Sequence, residues 1–418
     1  ARAAAADGAT AVAGGTLVYS IGSVEPCLAW QVIVSSPDGI ESVFVSADTA
    51  DVVASEPLVL NGRARGTGTD KHTGEEISFN VWQDDDGSYR MFDDERNIDV
   101  FDANGATLTY ELVFESSDGT KYYLDPDTNE WRTDAGKVDR SEVDDHALFV
   151  DMRFDVNNVF KDVTAVTSDT TEFSNSTAAS ALVRINSIYD LYQNVLGREG
   201  FDNESGHLDL VVNDFMWEGW SIDSGNAYSF TPFGSGTTLI SVGSENEGAV
   251  DTLGHEYTHS VETSISGMVS SGESGALKEA TSDIMGEISQ DYFDDGQLDG
   301  DADWIHGIRN LVDPSRSTQS ERGDDKDAHP TRYQDDRWGN PSDDYDNGYV
   351  HNNSTVVGHA AYLMCNDTGL DGESLDTEQM ALLVYGTFHA LTSDSSFSQF
   401  RTCMELTARI MIEQGDLS

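Results

Sequence analysis

The chain has 418 residues, of which 38% are hydrophobic, enough for a sizeable core and two or three domains. Its 76 acidic and 23 basic residues give a net charge of −53, which argues against nucleic-acid binding and against an anionic membrane surface. No run of 18 or more apolar residues predicts a membrane-spanning helix. So acidic a surface favours secretion into salty or calcium-rich surroundings, although compositional drift without a role is the alternative.

The N-terminal stretch ARAAAADGATAVAGG has no initiator Met and no basic region followed by an apolar core. We therefore expect a chain already trimmed of its signal. The runs LVYSI, LAWQVIVSS, ESVFVSADT and DVVAS are rich in Val, Ile and aromatic residues. They predict a small β-rich unit over residues 1 to about 58.

Residues 59 to about 175 alternate apolar and polar side chains between Gly and Asp turns, which predicts strands. Within them, residues 110–166 form an acidic segment, and its many aromatic side chains predict that it is folded. An amphipathic stretch starting near Ser176 predicts a helix of about five turns, and LDLVVNDF after it predicts a strand.

The C-terminal third shows helical periodicity in three runs, beginning NSTVVG, TEQMAL and SFSQFR. The three cysteines are Cys27, Cys365 and Cys403. Cys365 and Cys403 lie in predicted helices and are able to form one disulfide, but their spacing does not establish it.

The sequence HEYTH places His255 and His259 four residues apart, with Glu256 next to the first. On a helix both imidazoles then share one face and can bind one Zn²⁺, while Glu256 can reach a metal-bound water as a general base. The pattern also arises by chance. Its context strengthens it, because Val250, Leu253 and Val261 give the segment an apolar side.

A third ligand is found in GALKEATSDIMGEI, where apolar residues recur at three- and four-residue steps and predict another helix. Glu279 and Asp283 share one face of it. Two His and one Glu with an open fourth position make a catalytic zinc site, with Glu279 as the third ligand. Asp283 then suits a position behind a ligand histidine, holding its far nitrogen and fixing its tautomer. The alternative is that Glu279 and Asp283 belong to an ordinary helix face exposed to solvent.

HEYTH followed by ESGALKEATSDIMGE resembles the thermolysin family of secreted zinc endopeptidases, the neutral proteases or bacillolysins. Zinc aminopeptidases of the gluzincin group also use HExxH and a later Glu. Their spacer is one residue shorter, however, and their upstream GxMEN-like motif is not found here. The resemblance implies an α+β, two-lobed fold, with a β-rich N-terminal lobe, a mainly helical C-terminal lobe and the zinc helix between them.

The resemblance also implies three segments. Residues 1–58 are similar to the C-terminal part of a propeptide, an inhibitor and chaperone module that is later removed. Residues 59–247 correspond to the β-rich lobe with an acidic insertion, and residues 248–418 to the zinc helix and the helical lobe.

Further site residues are implied by segments similar to the family's. SGNAYSF resembles the edge strand that clamps an extended substrate, so Asn226 and Ala227 are expected to bind its backbone. HGIRNLVDPS resembles an LRxMxDPx segment, so Arg309 is expected to bind a substrate carbonyl. Ile308 and Leu239 are expected to line an aliphatic pocket, which predicts cleavage before bulky aliphatic or aromatic residues.

DDYDNGYVHNNSTVVGHAAYLM is similar to the segment carrying the family's last catalytic group. His351 is expected to donate a hydrogen bond to the oxyanion, and Asp346 to orient His351. By itself, an Asp-Asn-Gly turn before a His is usually an ordinary loop.

The acidic run ISQDYFDDGQLDGDADW suits Ca²⁺, which takes oxygen ligands. Asp251 and Asp303 match calcium ligands of the family, but Gln290, Ile305 and Ile308 stand where acids are usual. The resemblance therefore predicts at most a single reduced calcium site, against the alternative of a solvated acidic loop.

Three positions depart from the family pattern, at Ser229 for a Trp, Ser270 for an oxyanion-binding Tyr and Lys278 for an Asn. Loss of the Tyr donor would lower the rate about 10²–10³-fold unless another group, such as Tyr257 or Tyr349, replaces it.

The sequence thus predicts a secreted, monomeric zinc endopeptidase, a hydrolase acting on proteins or peptides and held by its own propeptide as a zymogen. Calcium is a second expected cofactor, and neither nucleic acid nor membrane is an expected partner. The alternatives are a catalytically weak or inactive zinc-containing binding module and a latent zymogen.

Overall fold

The computed structural model describes residues 10–11, 16–20, 27–36, 39–57, 62–103, 107–108, 111–125, 129–143, 147–153, 163–213, 215–217, 220–222, 225–231, 236–246, 248–293, 296–300, 302–317, 329–367 and 374–417. Its strands are β1 Thr10–Ala11, β2 Thr16–Ser20, β3 Cys27–Ser36, β4 Gly39–Ser46, β5 Val52–Pro57, β6 Gly62–Thr69, β7 Glu76–Gln83, β8 Tyr89–Arg90, β9 Phe92–Asp93, β10 Ile98–Asp102, β11 Thr107–Leu108, β12 Glu111–Glu115, β13 Lys121–Asp125, β14 Glu130–Thr133, β15 Gly136–Val138, β16 Leu148–Arg153, β17 Thr164–Ala165, β18 Thr167–Ser168, β19 His207–Val212, β20 Phe215–Trp217, β21 Trp220–Ile222, β22 Ala227–Phe230, β23 Thr237–Val242, β24 Ile305–His306 and β25 Arg309–Asn310. Its α-helices are α1 Ser176–Asn194, α2 Val250–Ile265, α3 Gly272–Phe293, α4 Asp346–Asn353, α5 Thr355–Asn366, α6 Thr377–Phe388 and α7 Phe397–Gln414. Among the helices of these residues, none combines the length and apolar character needed to cross a membrane.

Strands dominate the first half of the chain and helices the second, so the predicted α+β class is confirmed. The chain forms two compact units. One comprises the described parts of Ala1–Gly66, Asn80–Asp94 and Thr167–Phe173, and the other those of Thr67–Phe79, Glu95–Val166 and Ser174–Ser418. The boundaries predicted at residues 58 and 247 stay predictions.

The first unit contains the strands predicted for the N-terminal stretch. β1, β3, β4 and β5 form an antiparallel sheet in that order, with β2 also pairing with β3. Alternate valines of β3 and β4 point to one face and form a small buried cluster. Its members are Val32, Val34, Val43 and Val45. The period of two read from the sequence therefore corresponds to one buried sheet face.

The second unit is built on a mixed sheet in the order β17, β10, β19, β23 and β22. β10, β19 and β23 are parallel, whereas β22 runs antiparallel to β23 at the edge of the sheet. Four of the six residues of β19 and five of the six of β23 are buried, which suits strands in the interior of a parallel sheet. The acidic segment predicted to be folded forms a separate antiparallel sheet, in the order β15, β14, β13, β12 and β16.

The helix predicted from near Ser176 is α1, which begins after an Asn175 side chain that accepts from the Ala178 amide. α1 packs against α2, and the hydroxyls of Tyr192 and Thr258 lie 2.8 Å apart between them. The apolar residues predicted for one side of the HEYTH segment, Val250, Leu253 and Val261, are all buried.

α2 and α3 approach each other closely because small residues lie at their contact. A Cβ atom added to Gly286 would lie 2.4 Å from the carbonyl oxygen of Asp251, and one on Gly254 would lie 2.6 Å from the Ser289 hydroxyl. Either substitution would force the helices apart. This close approach brings the third predicted ligand next to the two histidines.

The disulfide considered for the C-terminal region is not formed. Cys365 and Cys403 lie on α5 and α7, as predicted, but both are free thiols. The Cys403 thiol instead donates to the carbonyl oxygen of Ala390 at 3.3 Å. Burial raises the pKa of Cys365 to about 12, so its thiol stays protonated at neutral pH.

Candidate metal centre and active site

His255 and His259 project from the same face of α2, as their spacing predicts. Their ring centroids are 4.5 Å apart, with the planes at 89°. Glu279 of α3 faces both rings, with Oε2 3.3 Å from Nε2 of His255 and Oε1 3.5 Å from Nε2 of His259. One atom from each residue lies within 4.8 Å of the others, the spacing of ligands around one ion.

The donor atoms of this cluster fit a zinc ion. Glu279 Oε2 is buried and has no hydrogen-bond donor in good geometry, although two imidazole nitrogens lie 3.2–3.3 Å away. Two nitrogens and a carboxylate that converge without an aligned proton are the ligand set of a catalytic zinc site with an open position. Burial also lowers the pKa of His259 well below its ordinary value, which keeps that ring neutral as a ligand must be.

The far nitrogens of both histidines are held by α3. His255 Nδ1 lies 2.9 Å from Asp283 Oδ1, and His259 Nδ1 lies 3.0 Å from the Ser282 hydroxyl. A partner at Nδ1 leaves Nε2 directed at the metal position. The structure therefore brings Asp283 to the place that the sequence predicts, and it adds Ser282, which the sequence reasoning missed.

Asp283 is wholly buried and is itself held by Arg309. The guanidinium donates two hydrogen bonds, Nε to Oδ2 at 2.7 Å and Nη2 to Oδ1 at 2.6 Å. Burial alone would raise the pKa of Asp283, but the charges of Arg309 and His306 outweigh it and hold that pKa well below its usual range. Burial lowers the pKa of His255, but the carboxylates of Asp283 and Glu279 beside its two ring nitrogens raise it to about 9 when a proton rather than a metal occupies the site.

Glu256 of α2 is 8% exposed and lies close enough to His255 and Glu279 for their charges to act on its carboxyl group. Burial raises the pKa of its carboxyl group, and the positive charge of His255 opposes that rise. The Ser229 hydroxyl of β22 lies near this carboxylate and lowers its pKa. Ser229 stands where the resemblance predicts a Trp, so this departure places a polar partner beside the predicted general base.

His351 reaches the cluster from a different part of the chain. Its Nε2 lies 3.2 Å from Glu279 Oε2, and its Nδ1 lies 2.6 Å from Asp346 Oδ1. Asp346 Oδ2 also accepts from the His351 backbone amide at 2.9 Å. Although burial in the cleft lowers the pKa of His351, the charge of Glu279 and the hydrogen bond to Asp346 raise it above its ordinary value. The ring is 46% exposed, so solvent screens each of these effects.

An unusual turn presents His351. Four consecutive residues have left-handed backbone angles, with φ between 48° and 97°: Asp346, Asn347, Gly348 and Tyr349. Left-handed residues other than Gly are costly, and such strain concentrates at functional sites. Gly348 is required for space as well, because an added Cβ would lie 2.5 Å from the carbonyl oxygen of Pro341.

The residues expected to contact substrate lie on elements near this cleft. Asn226 and Ala227 lie at the start of the edge strand β22, where the Asn226 side chain accepts from the Ala227 amide at 3.0 Å. β22 and β23 both pack against α2. Leu239 is buried in β23, and Ile308 is partly buried between β24 and β25.

The two expected calcium ligands have different surroundings. Asp303 Oδ1 accepts from the Ile305 amide at 2.8 Å. Asp251 instead groups with Glu287 and His306 as a further set of potential metal ligands. His306, which the sequence reasoning missed, stacks on His255 with ring centroids 4.7 Å apart.

The residues considered as substitutes for the missing Tyr donor each pack against another tyrosine ring. Tyr257 packs against Tyr192 at 5.1 Å, on the face of α2 opposite the histidines. The Tyr349 ring packs against Tyr345 at 4.9 Å.

Lys278 reaches towards Ser270, where the Tyr is usual, with Nζ 3.4 Å from the hydroxyl. Its ammonium group also lies 3.8 Å from the buried carboxylate of Glu262 and 3.3 Å from the Thr263 hydroxyl. The two departures at positions 270 and 278 are therefore coupled to each other through a local polar network.

The sequence of this chain is similar to those of known metallopeptidases. Two family models match in succession, the thermolysin metallopeptidase catalytic domain over residues 149–263 and the thermolysin metallopeptidase α-helical domain over residues 266–416. Thermolysin of Alicyclobacillus acidocaldarius subsp. acidocaldarius is 30% identical over 247 residues, which cover 53% of this chain and 39% of that protein. Neutral protease B of Bacillus subtilis (strain 168) is 28% identical over 270 residues, covering 60% of this chain and 44% of that protein.

The chain therefore spans less than half the length of these curated relatives. A solved structure, the precursor of protealysin, a metalloproteinase from Serratia proteamaculans, aligns with a TM-score of 0.47 at 21% identity, covering 75% of this chain and 81% of that chain.

Proposed function

Because this chain belongs to the thermolysin family of metallopeptidases, we propose that it is a secreted, zinc-dependent endopeptidase. The observation that carries the proposal is the convergence of His255, His259 and Glu279, with Glu256 beside them and His351 facing Glu279. A structural zinc site is usually closed by four protein ligands, whereas this set leaves a position open.

The buried cluster supplies the metal and the base. His255, His259 and Glu279 would hold zinc, which supplies Lewis acidity to a scissile carbonyl and acidity to a water molecule. Glu256 takes a proton from the attacking water and passes it to the leaving amine. A raised pKa suits this exchange, because the carboxylate must accept the proton and then give it up near neutral pH.

His351 stabilises charge on the substrate. With Asp346 accepting from Nδ1, only the doubly protonated ring has an N–H at Nε2, and its raised pKa keeps that form present. The ring then donates to the carbonyl oxygen as negative charge develops there. Asp346 holds the orientation of the ring. Arg309 donates to Asp283 and, in this proposal, also binds a neighbouring substrate carbonyl.

The edge strand β22 binds the substrate as an extended strand. Asn226 and the carbonyl oxygen of Ala227 supply backbone contacts, the common mode in which a peptide adds to a sheet edge. Ile308 and Leu239 contribute apolar surface that favours cleavage before bulky aliphatic or aromatic residues. In this proposal the N-terminal residues 1–58 act as an inhibitory pro-segment.

Hydrolysis of casein and of a blocked dipeptide amide by the matured, zinc-loaded chain tests the proposal. We expect activity that a zinc chelator removes and that zinc restores. Glu256→Gln should lower kcat by a factor of about 10²–10⁴ with zinc still bound, because it removes only the proton acceptor. The matched control is Glu245→Gln. Glu245 is exposed and lies shortly before α2 in the chain, so this change should leave kcat unchanged.

A matured chain that binds zinc but cleaves neither substrate would overturn the endopeptidase proposal. It would favour the alternative of a non-catalytic zinc-binding module. Activity appearing only after removal of residues 1–58, measured by mass, would instead identify a latent zymogen.

A further inference from the structure

A second group of metal-ligating side chains lies beside the candidate zinc site. Asp251 belongs to the first turn of α2, Glu287 to α3 and His306 to β24. One ligand atom from each lies within 4.8 Å of the others. The three come from separate elements, and the close α2–α3 contact at Gly286 positions two of them. This cluster is therefore a product of the tertiary fold rather than of a local motif.

Glu287 makes the cluster unusual. The residue is 0% exposed, and neither carboxylate oxygen has a hydrogen-bond partner among the described residues. The backbone amide of Trp304 approaches the carboxylate but not in good hydrogen-bond geometry. A buried carboxylate without a partner is strongly destabilising unless a cation or a proton compensates it.

The contact between Asp251 and His306 does not resolve this imbalance. His306 Nδ1 lies 3.4 Å from Asp251 Oδ2, too poorly aligned for a hydrogen bond, and this nitrogen is also buried without a partner. Three buried atoms without a hydrogen-bond partner therefore lie close together. They are the two carboxylate oxygens of Glu287 and Nδ1 of His306. No Lys or Arg side chain forms an ion pair with Glu287 or Asp251 in the part of the chain that the structure describes.

The donor set indicates the class of ion. Ca²⁺ takes six to eight oxygen ligands, and an imidazole nitrogen is not among its usual ligands. One imidazole with two carboxylates suits a first-row transition ion, above all Zn²⁺. This set of one imidazole and two carboxylates therefore favours an ion different from the calcium that the sequence predicts.

We propose that Asp251, Glu287 and His306 bind a second transition-metal ion, of the Zn²⁺ class, separate from the ion held by the two helical histidines. His306 also lies 3.8 Å from Asp283 through its Nε2, and Asp283 holds His255. The second ion is thus linked to the candidate catalytic site through one buried carboxylate. Binding of the second ion fixes the position of Asp283 behind His255, and the ion does not contact the reacting atoms.

The experiment measures metal content of the folded, full chain. The chain is loaded with excess Zn²⁺ and, in a parallel sample, with excess Ca²⁺, then passed through gel filtration in metal-free buffer. Zinc and calcium per chain are counted by mass spectrometry of the elements. We expect two zinc ions in the wild type and one in each of Asp251→Asn and Glu287→Gln.

Glu262→Gln is the matched control. This glutamate is also fully buried on the α2–α3 pair, but it pairs with Lys278 and accepts from the Met268 amide at 2.8 Å. Neutralising it should leave two zinc ions bound. Circular dichroism of every variant checks that it has folded before its metal is counted.

Cobalt provides a readout when a variant binds metal weakly. Substitution of Co²⁺ should give visible absorption from two sites in the wild type, and Glu287→Gln should lose one component only. A single zinc ion in the wild type, or one zinc together with one calcium, would overturn the proposal. Two zinc ions in a chain without peptidase activity would support the second site while refuting the proposed function, so the two failures are distinguishable.

Discussion

Replacing Asp283 by Asn tests how much the support behind the zinc ligands contributes. The change keeps the shape of the side chain but removes the negative charge that Arg309 contacts at 2.6 and 2.7 Å. The Asp283 side chain is 0% exposed and that of Arg309 10%, so the guanidinium would be left buried without its counter-charge. Breaking a buried pair in this way costs about 3–5 kcal/mol of unfolding free energy.

The same carboxylate holds His255, with 2.9 Å between Asp283 Oδ1 and His255 Nδ1. Loss of such a partner behind a metal ligand typically weakens metal affinity about 10–100-fold. Asp283→Asn should therefore show two separate effects. The metal-free protein should have a lower free energy of unfolding. Zinc affinity should also fall, and unfolding of the metal-free chain does not measure this second effect.

Urea denaturation of the metal-free chain measures the first effect, and competition with a chelator measures the second. Asp190→Asn is the control, because Asp190 makes the same two-bond contact with Arg96 at 2.8 and 2.9 Å. That pair is 20–31% exposed, and its loss should cost at most about 1 kcal/mol. Equal losses of unfolding free energy in the two variants would show that burial does not set the cost of breaking such a pair, and would refute the reasoning.

The effect also has a defined pH dependence. Although burial raises the pKa of Asp283, Arg309 holds it below its ordinary value of 3.8. A depressed pKa in the folded state means that the stabilisation is fully present above about pH 4 and is lost as pH falls towards the folded value. The stability gap between the wild type and Asp283→Asn should therefore narrow in acid.

Two further predictions concern the turn that carries His351. Asp346→Asn replaces the charged acceptor beside His351 by a neutral one, so the pKa of His351 should fall and the alkaline limb of kcat/KM should move to lower pH, with kcat falling on the order of 10²-fold. An unmoved limb would show that Asp346 does not set the protonation of the ring. Gly348→Ala adds a methyl group 2.5 Å from the Pro341 carbonyl at φ 97°, and urea denaturation should show a loss of more than about 1–3 kcal/mol. Gly74→Ala, at φ 73° with open space around it, should lose only the stability that the unfavourable backbone angle costs. Equal losses in the two variants would contradict the role given to the contact with the Pro341 carbonyl.

Several features of this protein follow from local sequence alone. The four-residue step from His255 to His259 places both rings on one helix face because an α-helix repeats every 3.6 residues. The apolar steps around Glu279 predict α3 for the same reason. The resemblance to a known family extends these local patterns to a fold, since several motifs along the chain match that family in the same order.

Other features depend on residues that are distant in the sequence. The closeness of α2 and α3 depends on Gly254 and Gly286, each of which is unremarkable in its own helix. The stacking of His306 on His255 joins β24 to α2, and no periodicity links those two positions. The free thiols of Cys365 and Cys403 show the same limit, because helix prediction places each residue on an element but not the elements relative to each other.

The sequence therefore predicted the candidate ligands His255 and His259 from their spacing within one helix, because that spacing is a local property. Tertiary structure decided what surrounds them. Ser229 beside Glu256, Arg309 behind Asp283 and the unpartnered Glu287 arise only when strands and helices pack. Burial and contact between distant segments set the charge of each group, and both are properties of the folded chain rather than of any stretch of its sequence.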